Sequence, residues 1–502
     1  MATRNLARLA EEAFERRGDY LALRFEGRWY GSAELFSRAC RIATGLSALG
    51  VEPGERVVVS MANCPDVTVV YQAVWRTGAV VTPATFLLPV EDLRHVIADS
   101  QASAIITTPE LTEKVREAVA GLDHVRHVIS SGSAAFSALE EAEPGAIFPR
   151  DDDDLAALLY TGGTTGRSKG VMLSHANLSF TGQAVQEASH VRGVTRSLMT
   201  LPLSHSYGML VTISGMHSPE RPVTVLLRWF DPRVFLEMIQ EHRVQSSAVV
   251  PSMIHLLLAQ PLEEFDLSSL QYLGCGAAPL APQTAAELER RIPSMRIRQG
   301  YGLTETAALI STNPVGHEKP GSVGLPIPGA VLAILDEEDH ELPPGQAGEV
   351  CVRSPAVMRG YWRSTEATAE AIRDGWLHTG DIGYVDEEGY LFIVDRKKDL
   401  IIRGGFNVYP RDVEDALLEH PLVVGAAVVG RPDERLGEEV VAFVAPREPG
   451  AVDAEELVEW ARGRIGGYKY PREVHIVDAI PLTAVGKLDR KALRALVGVP
   501  AH

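Results

Sequence analysis

The chain is short of the features that mark several large protein classes. It has four cysteines in 502 residues (Cys40, Cys64, Cys275 and Cys351), and no two stand at C-x-x-C spacing. That argues against a disulfide framework and a cysteine zinc site, and it fits a reducing, cytoplasmic location. Basic residues are outnumbered, 48 Lys and Arg against 66 Asp and Glu, for a formal net charge of −18. A nucleic-acid partner is therefore not expected, and any polyanion has to be held by local cations and N–H groups. Long apolar runs are missing as well. No stretch reaches the about 18 residues that a membrane span needs; the most apolar region, near 78–90, is broken by Pro83 and Pro89. Charges also interrupt the apolar residues of the N-terminal stretch MATRNLARLAEEAFERRGDYLAL, which excludes a signal-peptide core there. No internal repeat or low-complexity linker is present. With 45% hydrophobic and 23% charged residues the composition is that of a globular protein, long enough for roughly two to four domains.

Against this plain background one stretch stands out, LLYTGGTTGRSKGVMLSH at 158–175. An apolar strand-like run, Leu155 to Tyr160, leads directly into Thr161-Gly162-Gly163-Thr164-Thr165-Gly166, with Lys169 close behind. The glycines let backbone N–H groups approach an anion, the threonines add hydroxyl donors, and the lysine adds a point charge. This is a phosphate loop, but not the nucleotide P-loop. Arg167 and Ser168 separate Gly166 from Lys169, Gly170 stands where a Mg²⁺-holding Ser or Thr belongs, and Val171-Met172-Leu173 reads as strand, not helix. The run Asp151 to Asp154 just before it reads as a solvated connector, since neighbouring carboxylates in a strand point to opposite faces.

The rest of the chain supplies the scaffold. Helical periods at Ser32–Leu49, Pro65–Thr77, Ser174–His190 and Pro232–His242 alternate with β-rich runs at Arg56–Met61, Ala104–Thr108, Val125–Ser130, Val223–Leu227 and Ser247–Val250. Alternation of this kind predicts parallel sheets flanked by helices, an α/β fold. Small or hydroxyl-bearing residues follow the strands expected before 161, 274 and 300, and open α/β sheets bind ligands beyond such strand ends. From about 311, Gly/Pro turns between short strands (Val331–Leu335, Gly348–Val352, Leu391–Val394) predict a smaller β-rich subdomain, and 399–502 reads as an α+β tail.

Seven blocks now fall into order: YTGGTTGRSKG (160–170), LPLSHSYG (201–208), GCGAAP (274–279), QGYGLTET (299–306), HTGD (378–381), DRKKDLIIRGGFNVYPRDVE (395–414) and PLTAVGKLDR (481–490). Together they resemble the adenylate-forming superfamily of acyl-CoA synthetases, adenylation domains and luciferases, over nearly the whole chain, and most nearly its fatty-acid-type acyl-CoA synthetases. The resemblance implies a large N-terminal AMP-binding domain, 1–395, of helix-flanked sheets with a β-barrel-like subdomain at about 311–395. A smaller, mobile α+β lid, 399–502, would turn about a hinge near Lys398. It implies ATP and Mg²⁺, and two half-reactions: a carboxylate attacks the α-phosphate to give acyl-AMP and pyrophosphate, and the thiol of coenzyme A then displaces AMP.

The same resemblance distributes roles. Thr161 to Gly166 and Lys169 would hold the β- and γ-phosphates, Thr304 would meet the α-phosphate, and Glu305 would hold Mg²⁺. Gly274 to Pro279, with Gly276, Ala277 and Ala278, and Tyr301 would frame adenine, and Gln299, Gly300 and Gly302 would also line the ATP site. Asp381 would accept from the ribose hydroxyls, with Arg396 beside it and Ile393 packed nearby. Lys487 would bridge substrate carboxylate and α-phosphate. Lys398 would be the hinge, Gly404 and Gly405 would let a pantetheine arm pass, and His205 would gate the thiol channel. Two departures stand out: Gly162 replaces the usual serine and Ser168 the usual proline. Tyr468-Lys469-Tyr470-Pro471-Arg472 falls where some relatives carry more cations for the CoA phosphates, which leaves a carrier-protein pantetheine, and so a fatty acyl-AMP ligase, as an alternative acceptor reading.

An acyl pocket would be lined by Tyr207, Met209, Met253, Cys275, Gly276, Ile310 and the helix 177–189. These stretches offer no Asp for an α-amino group and no Arg for a second carboxylate. The expected substrate is thus an apolar monocarboxylic acid, fatty first and aryl as the alternative. Chain length is not legible, because one methylene discriminates by only about 1–3 kcal/mol. Oligomeric state is not legible either.

Overall fold

The computed structural model describes residues 5–161, 167–483 and 488–498. Among these, one compact unit takes 5–161, 167–331 and 352–377, and a second takes 332–351, 378–483 and 488–498. Residues 332–351 and 378–395 thus group with the C-terminal residues, although the boundary read from sequence lies at 395–399.

The first unit contains a seven-stranded and a nine-stranded sheet. In the seven-stranded sheet, Arg56–Ser60 is central and pairs in parallel with Val80–Pro83 and Ala104–Thr107. Val57, Val58 and Val59 are all fully buried, so this strand is covered on both faces, as its unbroken valine run requires. Leu155–Tyr160 and Gly170–Ser174 pair antiparallel at the far side of Val80–Pro83, with Tyr160 opposite Gly170. The phosphate loop therefore joins two strands, as its sequence predicts. In the nine-stranded sheet, Tyr272–Cys275 lies parallel to Ser246–Val249 on one side and Arg296–Tyr301 on the other. The last strand runs further than expected. Gly300 and Tyr301, read as a loop after the strand, instead pair with Thr312 and Ser311, a partner too distant for the local pattern to signal.

The helix His175–Ser189 opens on a reciprocal cap. Ser174 Oγ accepts from Asn177 N at 3.1 Å, and Asn177 Oδ1 accepts from Ser174 N at 2.9 Å, an arrangement worth about 1 kcal/mol. The Asn177 amide then donates to the carbonyls of Pro355 (2.7 Å) and Val357 (3.0 Å), fixing that segment against the helix start.

In the second unit, Trp376–Val385 pairs antiparallel with Leu391–Arg396, in a small sheet that also contains Val331–Leu335 and Gly348–Arg353. The β-rich stretch expected from about 311 does not form one sheet: Ser311–Thr312 and Leu325–Pro326 belong to the nine-stranded sheet. Later in the second unit, Val423–Asp433 and Gly437–Pro446 form a long antiparallel pair whose side chains alternate between two cores. Val428, Val440, Ala442 and Val444 pack under the helices Pro410–Leu418 and Ala454–Arg462; Ala427, Val429, Val441 and Phe443 meet Leu493 on the other face. A period of two with both faces apolar is what a strand covered on both sides demands. The final helix, Arg490–Leu496, is tied down by ions: Arg490 reaches Glu414 at 2.5 Å and Asp399 at 3.6 Å, and Arg494 reaches Asp399 at 2.9 Å. All four cysteines are buried thiols. Among the described residues, no helix is long and apolar enough to cross a membrane.

Candidate nucleotide and acyl-acid site

Gly162 to Gly166 and Lys487 lie outside the described residues, so the phosphate loop is known from its edges. Thr161 N donates to Lys169 O at 3.1 Å, which closes the loop's base. His95 Nε2 lies 2.8 Å from Ser168 O, and the Tyr160 hydroxyl donates to Asp99 at 2.6 Å, so two residues from one helix brace the strand ends. Lys169 Nζ stands 5.2 Å from the centre of the Tyr361 ring. The Tyr361 hydroxyl in turn donates to Glu305 Oε1 at 2.8 Å, while Met358 N donates to Glu305 O at 2.8 Å. Burial, then the neighbouring Glu305 charge, raises the Tyr361 phenol well above its usual range, so it stays a donor. Lys169 and Glu305, expected to act on one phosphate chain, are thus linked through a residue the sequence reading missed. Tyr361 carries no local signal; only its pairing, opposite Val171 on the loop's outgoing strand, puts it there.

Thr304 and Glu305 sit in a short turn, Thr304–Thr306, in which the buried Thr306 hydroxyl accepts from Leu303 N at 3.0 Å. Just before it, Gly302 is forced: a Cβ there would lie 2.3 Å from Ala308 O and 2.5 Å from Leu309 Cα. The chain then passes through left-handed conformations at Ala307 (φ 52°) and Ala308 (φ 89°), and Ala277 in the GCGAAP block does the same (φ 71°). Such positions cost an alanine about 1–3 kcal/mol, and they persist only where surrounding contacts over-determine the backbone.

On the acyl side, the block 201–208 is set by a buried side chain from elsewhere. Asn63 donates to Leu201 O (3.0 Å) and Leu227 O (3.2 Å) and accepts from Leu203 N (2.9 Å), while Tyr71 donates to Leu203 O at 3.1 Å. His205 Nδ1 accepts from Tyr207 N at 3.3 Å and so caps the helix Ser206–His217, which orients its ring. Gly274 admits the Tyr207 hydroxyl, which would sit 3.1 Å from a Cβ there. Cys275 belongs to the core cluster around Leu273 and Ile254, with Met253 packed against it, and Met209 is fully buried. Burial pushes the Cys275 thiol up to about 12, so it behaves as an apolar group. An arginine from outside those stretches does lie in this neighbourhood. Arg298 is buried, 5.0 Å over the Tyr272 ring, but its donors go to the carbonyls of Ala188, Ser189 and Asn313. It fastens the end of the helix His175–Ser189 and is not presented to a carboxylate.

The second unit carries the residues expected to meet ribose. Asp381 and Arg396 face each other across the ladder, with Arg396 Nε 3.5 Å from Asp381 Oδ1. Asp381 is nearly buried, its N–H given to Thr379 Oγ1 at 3.1 Å. Ile393 pairs with Gly383 in the same ladder, and its carbonyl accepts from Arg411 at 3.2 Å. Lys398 lies in the turn Lys397–Asp399, where burial and the nearby Arg396 charge lower its pKa. Gly404 (φ 59°) and Gly405 (φ 80°) make the tight turn between Ile401–Arg403 and Phe406–Val408, and no atom lies within 4 Å of where a Cβ on Gly405 would stand. Of the cations near 468–472, Lys469 holds Asp412 at 2.5 Å, and Arg472 stacks on Tyr470 at 3.4 Å.

Residues 10–362 match the family of AMP-binding enzymes and 412–487 match the AMP-binding enzyme C-terminal domain. A feruloyl-CoA synthase of an Amycolatopsis species is 38% identical over 95% of this chain and 96% of its own length. A long-chain-fatty-acid–CoA ligase of Bacillus subtilis is 34% identical over 98% of this chain and 94% of its own. Among solved structures, ATP-bound MatB from Rhodopseudomonas palustris superposes with a TM-score of 0.91 at 32% identity, covering 98% of both chains.

Proposed function

The chain belongs to the AMP-binding enzyme family, and on that premise we propose that it is an ATP-dependent acid–CoA ligase for an apolar monocarboxylic acid. The observation that carries this reading is the chain Lys169–Tyr361–Glu305, which joins the phosphate loop's cation to the carboxylate expected beside the α-phosphate. In the first half-reaction the acid's carboxylate attacks the α-phosphorus and pyrophosphate leaves. Lys169 and the loop N–H groups take up the charge of the leaving group, and Thr304 and Lys487 take up charge building on the α-phosphate. A carboxylate suits Mg²⁺, a hard cation that prefers oxygen ligands, and the Tyr361 hydroxyl fixes the orientation of Glu305. When bound there, Mg²⁺ would neutralise phosphate charge. In the second half-reaction the CoA thiol, passing Gly404 and Gly405, attacks the acyl carbon and AMP leaves.

Two substrate classes have support. The relative at 38% identity is named for an aryl acid and the one at 34% for fatty acids. The deciding experiment is pyrophosphate release over ferulate, indoleacetate, octanoate, palmitate, malonate and alanine, with CoA, with a carrier protein, or with neither. Release with aryl or fatty acids and a thioester with CoA is the expected result. No release with any acid rejects the enzyme reading, and a thioester formed only on the carrier protein moves the assignment to an acyl-AMP ligase. Lys487→Ala should lower adenylation by about 10²–10³ while sparing thioester formation from supplied acyl-AMP. Equal loss in both assays rejects the role of Lys487.

A further inference from the structure

We propose that Glu349 is a positioning residue that holds the ribose-side pair Asp381–Arg396 in register; this rests on the adenylating function proposed above. Glu349 has no place in the sequence blocks, yet its two oxygens tie together both segments that carry the pair. Oε1 accepts from Gly380 N at 3.0 Å, one residue before Asp381. Oε2 accepts from Lys397 Nζ at 3.1 Å, one residue after Arg396. Asp381 and Arg396 are themselves opposed across the ladder, so three contacts close a ring: Glu349, Gly380–Asp381, Arg396–Lys397, and back to Glu349. The neighbouring strand adds a second tie, since Thr379 Oγ1 donates to Val350 O at 2.7 Å and accepts from Asp381 N.

The carboxylate is buried, with only 9% of its side chain exposed. Burial opposes its charge, but the Lys397 ammonium and the Gly380 N–H outweigh that and hold the group below its usual range. Behind it, His378 Nδ1 lies 3.5 Å from Oε2 and 3.3 Å from Cys351 Sγ, and together with Glu349 these atoms all fall within 4.8 Å of one another. The set has metal-ligand chemistry. An ammonium already sits on the carboxylate oxygen, however, and a divalent cation would have to displace it. The arrangement suits a fixed strut better than a metal site. A buried carboxylate with two charge-assisted contacts keeps its place, and the backbone amide it holds fixes where the next side chain points.

The test compares ATP with 2′,3′-dideoxy-ATP in pyrophosphate release by wild type, Glu349→Ala, Glu349→Gln and Lys397→Met, with thermal melting of each. Losing one charge-assisted hydrogen bond changes affinity by about tenfold. Glu349→Ala is therefore expected to raise the ATP KM about tenfold, to change kcat little, and to shrink the preference for ATP over the dideoxy analogue by the same factor. Glu349→Gln, which can still accept from Gly380, and Lys397→Met should each give a smaller rise. Their double variant should add little to either single one, because both break the same contact. A variant that melts lower yet keeps the wild-type preference overturns the proposal, as does strict additivity of the pair. If Glu349→Ala does not fold, the other two variants carry the test. A wild type with no pyrophosphate release overturns the proposed function and this proposal together. An active wild type with an unmoved ribose preference overturns this proposal alone.

Discussion

The two units set their functional residues with different emphasis. In the first, close packing at the backbone stands out: Gly302 against Ala308 and Leu309, the Tyr207 side chain over Gly274, and left-handed alanines at 277, 307 and 308. In the second, charge stands out: Asp381 with Arg396, Glu349 with Lys397, Asp399 with Arg490 and Arg494. Contact-defined geometry tolerates salt and pH but no added volume. Charge-defined geometry tolerates volume better and answers to protons and ions.

The sharpest way to break this comparison is to add one methyl group to the first unit. Gly302→Ala would place a carbon 2.3 Å from a backbone carbonyl that cannot swing away. A displacement near 1 Å at a reacting centre costs about 10² in rate, so pyrophosphate release should fall about that far, at every salt concentration. Full activity in this variant would show that the backbone there has slack. The second unit is probed by pH through Asp395, whose carboxyl burial raises from 3.8 to about 6. The folded state then holds more protons than the unfolded state across that window, and stability falls as pH rises through it. The loss amounts to at most about 3 kcal/mol. The melting temperature of Asp395→Asn minus that of wild type should climb between pH 4 and 6.5 and then level; a flat difference denies the buried acid. A smaller effect is expected from Tyr361→Phe, which removes the phenol's hydrogen bond to Glu305 and should lower kcat/KM about tenfold with little change in melting. An unchanged kcat/KM would mean that Glu305 needs no such support. Smallest of all is Gly162→Ser, which restores a hydroxyl usual in the family. It should leave kcat intact and lower the ATP KM by less than about twofold, since the N–H is present either way. A larger change would mark the hydroxyl as a principal phosphate contact.

The same contrast explains what could be read from the chain alone. The helix His175–Ser189 and the strands Arg56–Ser60 and Leu155–Tyr160 were legible because apolar period and a capping serine are local signals. The motif blocks were legible because phosphate chemistry needs glycine and threonine side by side. Asn63, Tyr361 and Glu349 were not. Each is a single polar residue whose partner lies far away in sequence, and nothing in its neighbours distinguishes it from a surface side chain. Gly300 and Tyr301 were misjudged for a related reason, because the strand that extends over them is completed by Ser311 and Thr312. Adjacency to the blocks selected Cys275 and Met253 for the pocket, yet side chains in a strand alternate, and Cys275 turns into the core.

The clamp on the last helix has a mechanical consequence. Leu482 and Leu488 are bridged, and Asp489 N donates to Pro481 O at 2.9 Å, so both flanks of the segment carrying Lys487 are joined to each other. Arg490 and Arg494 then fasten those flanks to Asp399, next to the proposed pivot. The described flanks on either side of 484–487 are therefore fastened both to each other and to Asp399.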